Sequence, residues 1–223
     1  MRHIAVILAG GIGSRVGGGT PKQLLPLADG RSVLEHAVDA FEQAPTISEI
    51  AIVMHPDYMD EVRDLCRRNG WHKVANILSG GSERWESSVH AIEAYSGEPD
   101  CALWLHDAAR PFVSQRIMAD IADALAVHAA VTVAVPVTDT LYKVAGEEKQ
   151  VEGIPPRSEY MRAQTPQAFH LNTIAEAYRR ALDGGHIIAT DDAGIVHRYM
   201  PEEPIVIVAG EEANRKITYR EDL

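Results

Sequence analysis

The stretch "HIAVILAGGIGSRVGGGTPKQ" (3–23) decides how this chain folds. "HIAVILA" (3–9) is a continuous apolar run closed at once by turn residues, the pattern of a strand covered on both faces. A long glycine loop comes next, carrying two cations, Arg15 and Lys22, and Pro21 bars a helix just before Lys22. Glycines after a first strand let backbone N–H groups come up against phosphate at a range other residues forbid. Neither familiar phosphate signature fits. The third glycine, Gly17, falls one position late for a dinucleotide turn begun by Gly11 and Gly13, and Lys22 stands between Pro21 and Gln23 rather than before Ser or Thr. A polyphosphate whose reacting charge is met by two cations suits the loop better.

Outward from this loop, short apolar runs alternate with amphipathic stretches. Strands are expected at 49–55, 74–80, 101–107, 131–137 and 204–210. Helices are expected at 32–41, opened by the Ser32/Glu35 capping-box spacing, and at 57–70, closed by Gly70. Further helices are expected at 83–95, 114–129, 173–182 and 191–199. This alternation predicts an α/β fold with a doubly wound, mostly parallel sheet. The rhythm breaks over 139–169, where two weak β runs flank "AGEEKQ" and Pro155-Pro156 forbids a helix. That span is too small to bury a core of its own and reads as a projecting β-arm on a single domain, 1–223.

Composition narrows the partners. A net charge of -11 argues against a general nucleic-acid or anionic-membrane surface, while allowing a local basic pocket. Cys66 and Cys101 sit in apolar segments and read as reduced, buried thiols. No signal peptide or membrane-length apolar run occurs, so the expected location is the cytoplasm. The ten histidines show no zinc spacing, and no G-x-S-x-G elbow is present.

Three further segments carry polar groups where an α/β sheet gathers its ligands. In "LHDAARPFVS" (105–114), Asp107 ends an apolar strand, where a carboxylate facing a phosphate loop is a natural Mg²⁺ ligand, and Arg110 lies one turn later. Read by itself, Asp107 equally fits a structural cap before Pro111. "SGGSERWESS" (79–88) is a close-approach turn with Arg84 and Ser87 just beyond it; an ordinary β–α turn has the same local pattern. Arg157, Thr165, Thr190 and Lys216 are polar groups on stretches with little regular signal.

Taken in order, "LAGGIGSRVGGGTPKQ", "GGSERWESS", "HDAARPF", "RAQTPQAF" and "NRKIT" with a later "EDL" resemble the cytidylyltransferases of polyol phosphates over nearly the whole chain. The nearest family is 2-C-methyl-D-erythritol 4-phosphate cytidylyltransferase, with a sister group that makes CDP-ribitol. The resemblance implies a Rossmann-like nucleotidyltransferase that moves a cytidylyl group from CTP to 2-C-methyl-D-erythritol 4-phosphate, releasing pyrophosphate, in isoprenoid precursor synthesis. It implies nucleotide contacts from Leu8, Ala9, Gly10, Gly11, Gly13, Gly81, Arg84 and Ser87, and catalytic cations in Arg15 and Lys22. Asp107, Ala108, Arg110, Thr140, Arg157, Thr190 and Lys216 would face the acceptor, and Asp107 would also bind Mg²⁺. The arm would reach across a homodimer, with Arg157 serving the neighbouring site.

The sequence departs from the family in places. Leu8-Ala9-Gly10-Gly11 and "IPPR" are closer to the ribitol group, while "HDAARPF" is closer to the isoprenoid form. Ala213 stands where an acid often precedes Asn-x-Lys, leaving Glu211 or Glu212 as substitutes for a second metal contact. Ribitol 5-phosphate therefore stands as the alternative acceptor. A nucleotide-binding regulatory protein without turnover is the alternative of another class.

Overall fold

The computed structural model describes residues 1–11, 20–98, 100–185, 187 and 190–223. Among them the strands are β1 (Arg2–Ala9), β2 (Glu49–Met54), β3 (Val74–Ser79), β4 (Cys101–Asp107), β5 (Ala130–Pro136), β6 (Lys143–Ala145), β7 (Gln150–Gly153), β8 (Met161–His170) and β9 (Val206–Ala209). The α-helices are α1 (Val33–Glu42), α2 (Met59–Asn69), α3 (Arg84–Ala94), α4 (Gln115–Leu125), α5 (Leu171–Asp183) and α6 (Asp192–Tyr199). Seven strands make one sheet in the order β3-β2-β1-β4-β8-β5-β9, parallel except for β8, which runs antiparallel to both β4 and β5.

The unbroken apolar run of β1 reflects helices on both faces. Ile4, Val6 and Leu8 pack with residues of α3, α5 and α6, whereas Ala5, Ile7 and Ala9 pack with α1, α2 and α4. Alternate side chains of a strand point to opposite faces, so a strand covered twice must be apolar throughout. The order in which strands are added reverses between β1 and β4: β1 leads outward to β2 and β3, and α3 brings the chain back to β4 on the other flank of β1. That switch point opens a crevice at the carboxyl ends of the two strands.

Local signals hold where they were specific. Ser32 and Glu35 form the reciprocal capping box of α1, and Gly70 ends α2 in the left-handed region at φ 64°. The helix expected to reach residue 129 ends at Leu125, and residues 126–129 turn into β5. The weak β runs near 143–153 pair as the antiparallel β6–β7 ribbon, apart from the main sheet.

The stretch 161–169, expected in the arm, instead lies within β8 in the middle of the main sheet. Pro166 reads against a central strand because it has no N–H for the ladder. The register shows how it is accommodated: Val131 pairs with Ala168 and Val133 with Gln164, so three residues of β8 oppose one of β5. This bulge takes Thr165, Pro166 and Gln167 out of regular pairing with β5 and re-aims their side chains beside the crevice. Among the described residues no helix is long and apolar enough to cross a membrane.

Candidate active site

Leu8 and Asp107 are register partners on β1 and β4, at the lip of the switch-point crevice. The Leu8 carbonyl accepts the Ala108 N–H at 3.1 Å, which carries the pairing one residue past β4. Beyond β1 the chain passes close to the turn after β3. A Cβ on Gly10 would lie 3.2 Å from Ser87 Oγ and 3.3 Å from Gly80 Cα. A Cβ on Gly81 would collide with the side chain of Glu86. Small residues are therefore required on both sides of this contact, and the backbones themselves form the wall.

Two side chains hold that wall. Ser87, 4% exposed, accepts the Gly81 N–H at 3.2 Å. Gln23, equally buried, donates its amide to the carbonyls of Ala9 at 3.1 Å and Gly11 at 3.0 Å. Its neighbour Lys22 opens a short 3₁₀ turn, Lys22–Leu24, and donates through Nζ to the Ile217 carbonyl at 2.8 Å. Gly13 and Arg15 lie outside the described residues.

Asp107 is the hub of a second cluster in the crevice. Oδ1 takes Arg84 Nε at 3.1 Å, Oδ2 takes Lys216 Nζ at 2.6 Å, and its own N–H donates to Thr165 Oγ1 at 3.0 Å. Burial pushes the carboxyl pKa up, but Arg84 and then Lys216 more than reverse this, so Asp107 stays ionised well below the usual carboxylate range. Burial disfavours the charge of Arg84, yet Asp192 and Asp107 raise its pKa above the ordinary value. Its Nη1 lies 2.7 Å from Asp192 Oδ2, while the Tyr178 hydroxyl donates to Asp192 Oδ1 at 2.7 Å.

Arg110 sits beside this cluster and spends two of its donors on backbone: Nη1 on the Asn214 carbonyl at 2.8 Å and Nη2 on the Ala163 carbonyl at 3.2 Å. Buried His106 fixes the same corner, with Nε2 2.9 Å from the Arg110 carbonyl and Nδ1 3.1 Å from Thr165 Oγ1. The Arg110 carbonyl can only accept, so His106 Nε2 carries the N–H, and Nδ1 of the neutral ring accepts the Thr165 hydroxyl proton. Burial lowers the pKa of this imidazole to about 4.

The structure thus brings together Leu8, Ala9, Gly10, Gly11, Lys22, Gly81, Arg84, Ser87, Asp107, Ala108, Arg110 and Lys216. Thr190 is exposed, one residue before Asp191, the cap of α6. Thr140 and Arg157 are exposed in the segment around β6–β7, where Arg157 Nη1 donates to the Thr138 carbonyl at 2.6 Å. Among the described residues neither joins the Asp107 network. Glu211 is bound to Arg116 and Ser114, and Glu212 to Arg162, so neither substitutes as a second acid beside Asp107.

Asp192, Gln23, His106 and Tyr178 were not singled out by sequence. Asp192 had one available signal, the paired acids of "TDDA" before a helix, which also reads as ordinary capping. As for a metal, no group of three His, Cys, Asp or Glu side chains gathers among the described residues. Each Asp107 oxygen accepts one N–H and keeps lone pairs, which suits Mg²⁺ held mainly by phosphate and water with a single carboxylate.

Comparison with known proteins identifies the family. The sequence model of 2-C-methyl-D-erythritol 4-phosphate cytidylyltransferase matches residues 3–223. The protein of that name from Thermobifida fusca is 43% identical over 226 residues, covering 100% of this chain and 90% of its own. The bifunctional ribulose 5-phosphate reductase/CDP-ribitol pyrophosphorylase of Haemophilus influenzae is 40% identical over 100% of this chain but only 47% of that protein. The crystal structure of 4-diphosphocytidyl-2C-methyl-D-erythritol synthase from Anaerococcus prevotii matches with a TM-score of 0.83 at 28% identity, covering 99% of this chain and 94% of that one. On its sequence match, its sheet order and its full-length structural likeness, the chain belongs to the 2-C-methyl-D-erythritol 4-phosphate cytidylyltransferase family.

Proposed function

We propose that the protein transfers a cytidylyl group from CTP to 2-C-methyl-D-erythritol 4-phosphate, giving the CDP-polyol and pyrophosphate. The observation that carries the reading, beside family membership, is the switch-point crevice itself. One wall is bare glycine backbone at Gly10 and Gly80–Gly81; the other is the ionised Asp107 with Arg84, Lys216 and Arg110 around it. The first wall is assigned to the nucleotide and the second to the phosphorylated acceptor.

An oxygen of the acceptor's phosphate attacks the α-phosphorus of CTP in line. A P–O bond forms, the bond from the α-phosphorus to the bridging oxygen breaks, and pyrophosphate leaves with that electron pair. The nucleophile is already an anion at neutral pH, so no general base is needed. Catalysis rests on orientation and on cations placed where charge develops. Lys22, with Arg15, is assigned that work at the phosphates; Ala9 to Gly13, Gly81, Arg84 and Ser87 are assigned to the nucleotide, and Asp107, Ala108, Arg110, Thr190 and Lys216 to the acceptor. We assign Asp107 as the protein ligand of Mg²⁺, which when bound neutralises phosphate charge.

The protein is further proposed to work in the cytoplasm as a homodimer. Its β6–β7 ribbon stands apart from the main sheet and exposes Val144 and Val151, with Tyr142 and Ile154 exposed beside them. In that dimer Thr140 and Arg157 serve the partner's acceptor site. Pyrophosphate release with CTP and either 2-C-methyl-D-erythritol 4-phosphate or ribitol 5-phosphate tests the reading. Turnover with the first is expected; the 40% identity to a CDP-ribitol pyrophosphorylase makes the second the proper comparison. Silence with both overturns the assignment. Mixing inactive Lys22→Ala and Arg157→Ala subunits should restore partial turnover if arms exchange, and no recovery refutes the shared site.

A further inference from the structure

We propose that Asp192 is a positioning residue that couples the nucleotide side of the crevice to the acceptor side by holding Arg84 between them. This rests on the cytidylyltransferase reading of the site.

Asp192 is the first residue of α6 and is wholly buried. Its two oxygens are divided between the Tyr178 hydroxyl and Arg84 Nη1, each at 2.7 Å. Arg84 is the first residue of α3, directly after the turn that packs on Gly10. Its Nε continues to Asp107 Oδ1, and the second Asp107 oxygen takes Lys216. A single planar guanidinium therefore grips two carboxylates carried by α6 and β4. Lysine, a point charge, cannot reproduce this fork. Movement of the nucleotide turn displaces Arg84, and with it the ion pairs that orient Asp107 and Lys216.

The α6 end of this chain is anchored independently. Gln167 on β8 donates to Asp191 Oδ2 at 2.7 Å and accepts the Ala193 N–H at 2.9 Å. Asp192 thus presents its carboxylate from a backbone braced on both sides, and a fixed acid is what an orienting partner requires. Stability alone explains the arrangement poorly. Desolvation offsets most of the attraction in a buried ion pair, and Arg84 Nη2 is left buried without a hydrogen-bond partner. With Asp192 neutralised, the guanidinium is expected to turn fully onto Asp107 and compete with Lys216 for it.

The test compares the wild type with Asp192→Asn, Arg84→Lys, their double variant and Tyr178→Phe. Calorimetry gives the Kd for a non-hydrolysable CTP analogue, and for 2-C-methyl-D-erythritol 4-phosphate with and without that analogue. Steady-state assays give kcat and the acceptor KM. In the wild type the analogue should change acceptor affinity by about tenfold, within the usual range for coupled sites. In Asp192→Asn that factor should fall to about one and the acceptor KM rise about tenfold, with the analogue's own Kd changed less than about threefold. Arg84→Lys should lose the coupling and raise the acceptor KM in the same way. It should also bind the analogue more weakly, because Arg84 is itself assigned to the nucleotide. In coupling and acceptor KM the double variant should be no worse than the worse single.

Wild-type coupling and KM in Asp192→Asn overturn the proposal, as do additive effects in the double variant. A lower kcat and lower melting temperature at unchanged KM and coupling would mean a purely structural role and also overturn it. Should Asp192→Asn fail to fold, Arg84→Lys and Tyr178→Phe decide: loss of coupling in Arg84→Lys with at least partial loss in Tyr178→Phe supports it, and wild-type coupling in either refutes it. A wild type that turns over but shows no coupling removes this inference alone. A wild type inactive with CTP and either acceptor removes the functional reading, and the inference with it.

Discussion

Gly10 and Gly80 approach so closely that a Cβ on Gly80 would lie 3.1 Å from Gly10 Cα, with the Met54 carbonyl 3.4 Å away. Two of the three nearest atoms are backbone, which cannot swing aside as the third, Ser87 Oγ at 3.3 Å, could. Two loops that are 70 residues apart in the chain thus share one wall of the crevice.

Gly80→Ala is accordingly expected to destabilise the fold by about 1–3 kcal/mol, the usual cost of overpacking. It should weaken CTP binding as well, because relief requires the two turns to part. Urea unfolding and calorimetry check this together. Unchanged stability and unchanged affinity would mean that the turns are not in contact.

Asp107→Asn removes the charge that Arg84 and Lys216 share. Breaking a buried pair by removing one partner costs several kcal/mol in general, and here about 3 is expected because Lys216 reaches solvent and recovers hydration. Turnover should fall by more than about a hundredfold, as for loss of one preorganised charge contact at a reacting group. Near wild-type kcat in a folded variant would remove Asp107 from the acceptor site.

His106 makes stability depend on pH. Its pKa drops from 6.5 to about 4 in the fold, so between those values the unfolded chain binds the extra proton. Stability therefore rises with pH across that window, is fully present above 6.5, and loses about 3 kcal/mol on descending to pH 4. His106→Gln, which has no titrating ring, should flatten that part of the unfolding profile. An equal slope in both proteins would place the dependence elsewhere.

Gln23→Leu keeps the bulk but removes the amide that binds the Ala9 and Gly11 carbonyls. Leaving a buried acceptor unsatisfied costs about 1–3 kcal/mol, and the larger consequence is expected in KM for CTP, because the loop loses its brace. Denaturation and steady-state assays separate the two effects. A variant equal to wild type in both would show that the loop is held by other contacts.

Much of the fold was legible because its signals are local. A strand buried on both faces has to be apolar throughout, as in 3–9; the Ser32/Glu35 cap and the Gly70 stop need only their own turn. β8 was not legible, since Pro166 argues against a central strand until the bulge opposite Thr132 is seen. The site divides in the same way. Gly10, Gly80 and Gly81 announce a close approach, and Asp107 announces itself by ending a strand. Arg110 carries a charge, but nothing local reveals that two of its donors go to the Asn214 and Ala163 carbonyls.

By itself the sequence determined the alternation of strands and helices, the glycine loop after the first strand, and the acid that ends the fourth. These are properties of periodicity and backbone freedom, which act over a few residues. Only the tertiary structure decided what those residues do to one another. Arg84 and Asp192 are 108 positions apart in the chain, and Lys216 and Asp107 are 109 apart. Ion pairs across such separations depend on how the sheet orders its strands, with β8 placed antiparallel beside β4. Charge type can be read from one letter; the partner that sets its orientation and pKa is chosen by packing.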